Sequence, residues 1–107
     1  IKMIQINLNR SWGALDLLRQ HIAEFDVGLA IISKPPRRLA GNNTCFLSSD
    51  GLAAVLLRPE SSGSLKCRCL GRGEGFIAVR IGVISVISCY VSPNVPICTF
   101  RHFLHGL

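Results

Sequence analysis

Val27-Gly28-Leu29-Ala30-Ile31-Ile32-Ser33, stopped at once by Lys34-Pro35-Pro36, is the stretch whose reading decides the fold. An unbroken apolar run of this length lacks the in–out alternation of a half-solvated strand and fits a strand covered on both faces. The two prolines end it, because a proline has no N–H to donate to a sheet ladder. Upstream, from Trp12 to Phe25, the period changes. Ala14, Leu15, Leu18, Ile22 and Phe25 fall within a stripe about 100° wide at helical spacing, with Asp16, Arg19, Gln20 and Glu24 outside it. Ser11 stands where a helix cap is needed. Further upstream, Lys2 to Asn7 reads as a mostly buried strand, broken by Asn9-Arg10-Ser11. Strand, helix and strand within residues 1–33 make one βαβ unit, whose usual size is about 30 residues or more.

Downstream of the prolines, Arg37 to Asp50 reads as a polar loop containing Gly41-Asn42-Asn43. Strands then follow closely: Leu52–Leu57, a poorly defined Leu65–Leu70, Phe76–Ile81 and Val83–Val91. Ile81-Gly82-Val83 is a joint tight enough to make a hairpin of the last two. Ser92-Pro93-Asn94 turns the chain, and Ile97, Phe100, Phe103, Leu104 and Leu107 mark one face of a closing helix. The expected class is α/β (α+β), with residues 1–107 making one domain or a piece of one. It is built mainly on one mixed sheet with flanking helices, and the sheet's apolar outer face is left uncovered.

Composition narrows the function. Of 107 residues, 49% are hydrophobic, and the mean hydropathy is +0.39. A spanning helix needs about 20 consecutive apolar residues. The best candidate, Phe76 to Val91, is interrupted by Arg80, Gly82, Ser85 and Ser88, so no membrane partner is expected. No secretory leader is apparent, and the first residue is Ile1 rather than Met, a hint of an excerpted chain. Twelve Lys and Arg against six Asp and Glu give a net charge of +6, which favours polyanionic partners such as nucleic acid. A scattered basic surface that only keeps the chain in solution fits as well. Five cysteines without a framework spacing suggest reduced thiols in the nucleus or cytoplasm.

Polar residues at strand ends are the candidate site, since α/β folds bind ligands there. Asn7 closes the first strand, Lys34 follows the second, and Tyr90, Ser92 and Asn94 close the last. Amides, a phenol and an ammonium on one rim suit phosphate oxygens. The same residue types also end strands simply because turns need them. Cys98, His102 and His105, with Cys67 or Cys69, offer zinc-ligand chemistry, but no Cys-x2-Cys pair supports it. Gly71-x-Gly73-x-Gly75 precedes a strand rather than a helix and reads as a turn, not a phosphate loop. Cys89 inside its apolar strand reads as a core residue.

Several strings carry a family resemblance. Gln5-Ile6-Asn7-Leu8-Asn9-Arg10-Ser11, then an apolar helix, then Ile31-Ile32-Ser33-Lys34-Pro35, resembles the start of an endonuclease/exonuclease/phosphatase domain, in particular the nuclease domain of non-LTR retrotransposons. Gly71-Arg72-Gly73-Glu74-Gly75-Phe76 and Ser88-Cys89-Tyr90-Val91-Ser92-Pro93-Asn94, followed by Phe100 and Phe103-Leu104, extend the resemblance over nearly the whole chain. It implies a four-layer β-sandwich, of which this chain would be the N-terminal half, and phosphodiester hydrolysis with Mg²⁺. It further implies that Asn7 supports the metal site and phosphate, that Tyr90 is the catalytic phenol on the scissile phosphate, and that Asn94 contacts the phosphate likewise; Asn9 and Arg10, on the same rim, are expected to contact nucleic acid with them.

Two departures alter what the resemblance implies. Lys34 stands where the family carries its metal-binding Glu, and an ammonium has no lone pair for a cation. The family's Gly-Asp-Phe-Asn motif and later Asp-His pair do not occur in the sequence. The expectation is therefore a remnant of a Mg²⁺-dependent endonuclease that does not itself bind Mg²⁺ or cut. Its residual partner would be nucleic acid, held weakly and salt-sensitively. The alternative is a non-catalytic nucleic-acid-binding or protein-interaction module, with self-association or a missing C-terminal half covering the apolar face.

Overall fold

Ser11 begins the helix in the way its side chain allows. Its extended backbone (φ −88°, ψ 120°) leaves Oγ free to accept the Ala14 N–H, and α1 runs from Trp12 to Glu24. The structure, a computed structural model, describes residues 2–42, 44–58 and 67–90. Before α1 lies β1 (Met3–Asn7) and after it β2 (Leu29–Ser33), paired in parallel with Met3 opposite Leu29 and Asn7 opposite Ser33. The βαβ reading of the first third therefore holds. Next come β3 (Cys45–Leu47) and β4 (Ala53–Leu57), both antiparallel to their neighbours, and this sheet has the order β1-β2-β4-β3.

The α/β class is as expected, but the strands divide between two sheets. β5 (Cys67–Gly73), β6 (Phe76–Ile81) and β7 (Ile84–Cys89) form a separate antiparallel meander. It packs face to face with the first sheet, so the face expected to be open is covered. The physical reason is the two-sided burial of β2 and β4. Ala30, Ile32 and Ala54 face α1 together with Leu15, Leu18 and Ile22. Leu29, Val55 and Leu57, in alternation with them, face Ile77, Val79, Ile81 and Val86 of the second sheet. Such two-sided burial is what removes the polar alternation from these strands.

One hydrogen bond fixes the alignment of the two sheets. Ser88 is 1% exposed, and its Oγ donates to the Ile32 carbonyl at 3.2 Å across the interface. Val86 and Ser88 are the inward positions of β7. At the same end of the sandwich, Ser49 N–H donates to the Gly73 carbonyl at 3.1 Å.

Other readings are corrected. β1 is an edge strand rather than a buried one, with Met3 49% exposed and only Ile4 and Ile6 packed beneath the helix. Phe25 leaves the buried stripe because the helix ends on it; its ring instead stacks on His21 at 4.5 Å. The expected polar loop contains β3, whose three residues are too few to show a period. Gly71 and Gly73 belong to β5, and only Gly75, at φ 77°, belongs to the turn; a side chain at Gly73 would collide with the Phe76 ring. Cys89 is exposed, since the inward places beside it are taken by Val86 and Ser88. The Gly82 hairpin is as expected, with Ile81 paired to Ile84 and Gly82 at φ 58°. The closing helix assigned to Ile97–Leu107 lies outside the described residues.

Ile77→Ala should remove a fully buried side chain between the sheets and destabilise the fold by about 2–5 kcal/mol. Ser88→Ala should cost about 1 kcal/mol, and Leu17→Ala, at a site 66% exposed, close to nothing. Urea unfolding of the three variants checks the order, and a neutral Ile77→Ala would contradict the face-to-face packing.

Candidate functional site

The parallel ends of β1 and β2 and the end of β7 converge on one rim. Past β1, Leu8 N–H donates to the Ser33 carbonyl and Arg10 N–H to the Lys34 carbonyl, both at 2.9 Å. The loop is closed by Asn7, whose Oδ1 accepts the Asn9 N–H at 2.8 Å. Past β2, Lys34 N–H donates to the Leu52 carbonyl at 2.8 Å. Past β7, Tyr90 N–H donates to the Gly75 carbonyl at 2.8 Å. Three non-glycine residues at this rim, Asn9, Arg10 and Lys34, have positive φ (49°, 64° and 49°). Each costs on the order of 1–3 kcal/mol. Asn tolerates that region more readily than a long cationic side chain does.

The side chains gather around the Lys34 ammonium. Its Nζ lies 3.4 Å from the Asn9 Oδ1, at the long end for a hydrogen bond, and 6.0 Å from the centre of the Tyr90 ring. The placement follows from the buried Ser88–Ile32 bond, because Tyr90 and Lys34 stand two residues beyond Ser88 and Ile32 on their respective strands. Of the expected site residues, Asn7, Asn9, Lys34 and Tyr90 are thus brought to one rim. Arg10 adjoins them in an architectural role. Its Nη1 donates to the Pro35 carbonyl at 3.1 Å and the Gly51 carbonyl at 3.0 Å. Asn94 and Ser92, like Cys98, His102 and His105, lie outside the described residues.

Sequence reading missed Asp50, which holds this rim from below. Its Oδ1 accepts from the Ser48 Oγ–H at 2.8 Å and from the Leu52 N–H at 3.1 Å. Burial pushes the Asp50 carboxyl up, but hydrogen bonds from Gly75, Ser48, Leu52 and its own N–H outweigh that and leave it below the ordinary value. Gly75 belongs to the β5–β6 turn, and its carbonyl accepts the Tyr90 N–H, so Asp50 ties the first sheet to the turn that holds Tyr90. Ser48-Ser49-Asp50-Gly51 is a turn signature that makes such a cap legible in hindsight.

Among the described residues no group of three His, Cys, Asp or Glu side chains is placed to hold a metal ion. The nearest oxygens at the rim are already engaged: the Asn7 Oδ1 by a backbone N–H and the Asn9 Oδ1 by Lys34. Mg²⁺ demands octahedral oxygen coordination, commonly including one or two carboxylates. The described rim does not fit it. No helix of the described residues is long and apolar enough to cross a membrane.

No family model matches the sequence, and no curated protein does. Among solved structures, the chain is similar to the endonuclease domain of TRAS1, a telomere-specific non-LTR retrotransposon, with a TM-score of 0.77 at 22% sequence identity. The match covers 96% of this chain and 52% of that one, so this chain spans about half the length of its structural neighbour. At that identity the likeness shows the fold. The chain has an endonuclease-type α/β architecture of two sheets and one described helix.

The Asp50 contacts set a pH response. A group whose folded-state pKa is depressed stabilises the fold above its unfolded value, about 3.9 for Asp, and loses that contribution as pH falls through the folded value. Asp50→Asn should therefore lower the urea midpoint at neutral pH, with the gap to the wild type closing below about pH 4. A gap that persists unchanged in acid would assign the effect to something other than the carboxylate.

Proposed function

We propose that this chain derives from a metal-dependent phosphodiester-cleaving domain of the endonuclease/exonuclease/phosphatase type, carried by a retrotransposon-derived protein. We further propose that it corresponds to the N-terminal half of such a domain, and that its rim contacts a nucleic-acid backbone without cutting it. The fold likeness to a retrotransposon endonuclease domain supports the ancestry. The observation that carries the functional part is the Lys34 ammonium between Asn9 and Tyr90.

Electrostatics decides between cutting and holding. A Mg²⁺ ion about 4 Å from an ammonium would be repelled by about 8 kcal/mol at an effective dielectric near 20. A phosphodiester, with one negative charge, gains from the same ammonium and from the Asn and Tyr donors beside it. In this reading Lys34 replaces the cation as the positive charge at the rim. Tyr90 is the phenol that hydrogen-bonds the phosphate, Asn7 shapes the loop that presents Asn9, and Asn94 contributes from the segment after the last strand. In this reading the described rim, without a carboxylate-held metal, does not activate water as a bound cation would.

A protein-interaction role is the second reading. The observation favouring it is the exposed apolar set on the second sheet and its hairpin turn, with Leu70 48%, Ile87 53% and, in the turn, Val83 90% exposed. Self-association seen by light scattering at low concentration would support it, and a monodisperse monomer would count against it.

Fluorescence anisotropy with a labelled oligonucleotide tests the first reading. Affinity should fall steeply with salt, and Tyr90→Phe should weaken binding without unfolding the chain. Lys34→Glu should reduce the salt slope by about 1 and introduce Mg²⁺ binding measurable by calorimetry. Hydrolysis of plasmid DNA by the purified wild-type chain with Mg²⁺, or oligonucleotide binding untouched by Lys34→Glu, would overturn it.

A further inference from the structure

Beside the rim lies an open cleft of about 410 Å³ whose wall carries Arg10, Arg37 and Arg38, with Asp50, Leu39 and Leu47 around them. Nothing in the rim reading uses Arg37 or Arg38. They occupy the two central positions of a tight turn, closed by the Leu39 N–H donating to the Pro36 carbonyl at 3.3 Å. Arg38, the second of them, has φ 66°. That is the type II turn position where glycine is ordinarily required. Pro35 and Pro36, both buried, anchor the turn from behind, while the two arginines are exposed. The backbone thus holds a strained turn whose two central residues are exposed arginines lining the same cleft.

The cleft's electrostatics are one-sided. Three arginines face a single carboxylate, and Asp50 is occupied by hydrogen bonds from Ser48, Leu52 and Gly75. Among the described residues, neither Arg37 nor Arg38 makes a hydrogen bond or an ion pair, and the one ion pair, Arg58 to Asp26 at 3.0 Å, lies elsewhere. Arg10 is different: its two bonds to the Pro35 and Gly51 carbonyls fix it as the inner wall. Its backbone N–H on the Lys34 carbonyl joins the cleft to the rim. Unpaired guanidiniums on a preformed loop are suited to bidentate phosphate contact.

We propose that this cleft is a second phosphate-binding site, which takes the backbone of a nucleic-acid strand on Arg37 and Arg38 next to the phosphate held at Lys34 and Tyr90. The proposal rests on the nucleic-acid reading of the rim and extends it by a separate anchoring point. Contacts of this kind are to phosphates alone, so they position a strand without reading its sequence. The strained φ at Arg38 is then retained because a glycine there would relieve the backbone but remove a phosphate contact.

The test uses the full chain, a labelled single-stranded oligonucleotide and a salt series. The Arg37→Gln/Arg38→Gln double variant should shrink the slope of log K against log salt by about 1.4, the loss of two phosphate contacts on a single strand. The shift should be the same for oligonucleotides of different sequence. Arg38→Gly should raise the thermal midpoint while reducing the slope by about 0.7, a pairing of effects that damage to the fold does not produce. Arg80→Gln, at the Gly82 hairpin, should bind as the wild type does. If the double variant keeps the wild-type slope while Lys34→Glu loses affinity, the cleft is not a phosphate site and the rim reading stands. If the wild type binds no oligonucleotide even at about 50 mM salt, where such contacts are strong, both readings fall.

Discussion

The Ser88 hydroxyl on the Ile32 carbonyl is the contact on which the arrangement of this molecule depends. Two apolar sheet faces can slide over one another at little cost, because burial has no direction. A buried hydroxyl does have one. Left without its partner it would cost on the order of 1–3 kcal/mol, so it selects one alignment among many that bury similar area. From that alignment the geometry of the rim follows, because the residues two places further along each strand are the cation and the phenol. The Ser49, Asp50 and Gly75 contacts fasten the same end from the other side.

A single side chain then decides what the rim can do. The positive charge at this rim is the Lys34 ammonium, beside Asn9 and the Tyr90 ring. An ammonium on a flexible stem neutralises an anion as well as an ion does, but it neither polarises water nor gathers several oxygens in fixed geometry. Under the proposed reading, the left-handed backbone at Asn9, Arg10 and Lys34 serves binding.

Much of this was legible in the residues. The apolar run ending in two prolines identified β2, the Ser11 cap and helical stripe identified α1, and Gly82 identified the hairpin, since each rests on one local rule. The division into two sheets was not legible. Apolar periodicity says that a face is buried, not what covers it, and the strands of both sheets look alike in sequence. Ser88 illustrates the difficulty: it reads as an interruption of an apolar run until its inward phase with Val86 is known. At the rim, the structure brings together Asn7, Lys34 and Tyr90, which the sequence places at strand ends. Asp50 was hidden in a loop, because its role depends on Gly75 in the other sheet. Arg10 donates to the Pro35 and Gly51 carbonyls, contacts that only the folded loops reveal.

The two tight joints of the meander, Glu74-Gly75 and Gly82-Val83, carry a kinetic consequence. Strands joined by two residues close with little loss of loop entropy, on microsecond timescales. The Ser88–Ile32 contact joins residues 56 apart in the chain and must await the docking of two preassembled sheets. Under this ordering, mutations in the β6–β7 turn slow refolding, whereas loss of the Ser88 hydroxyl mainly quickens unfolding. Stopped-flow measurements in which Ser88→Ala slowed refolding instead would reverse the order. The rim, assembled last, would also be the first part of the molecule to come apart.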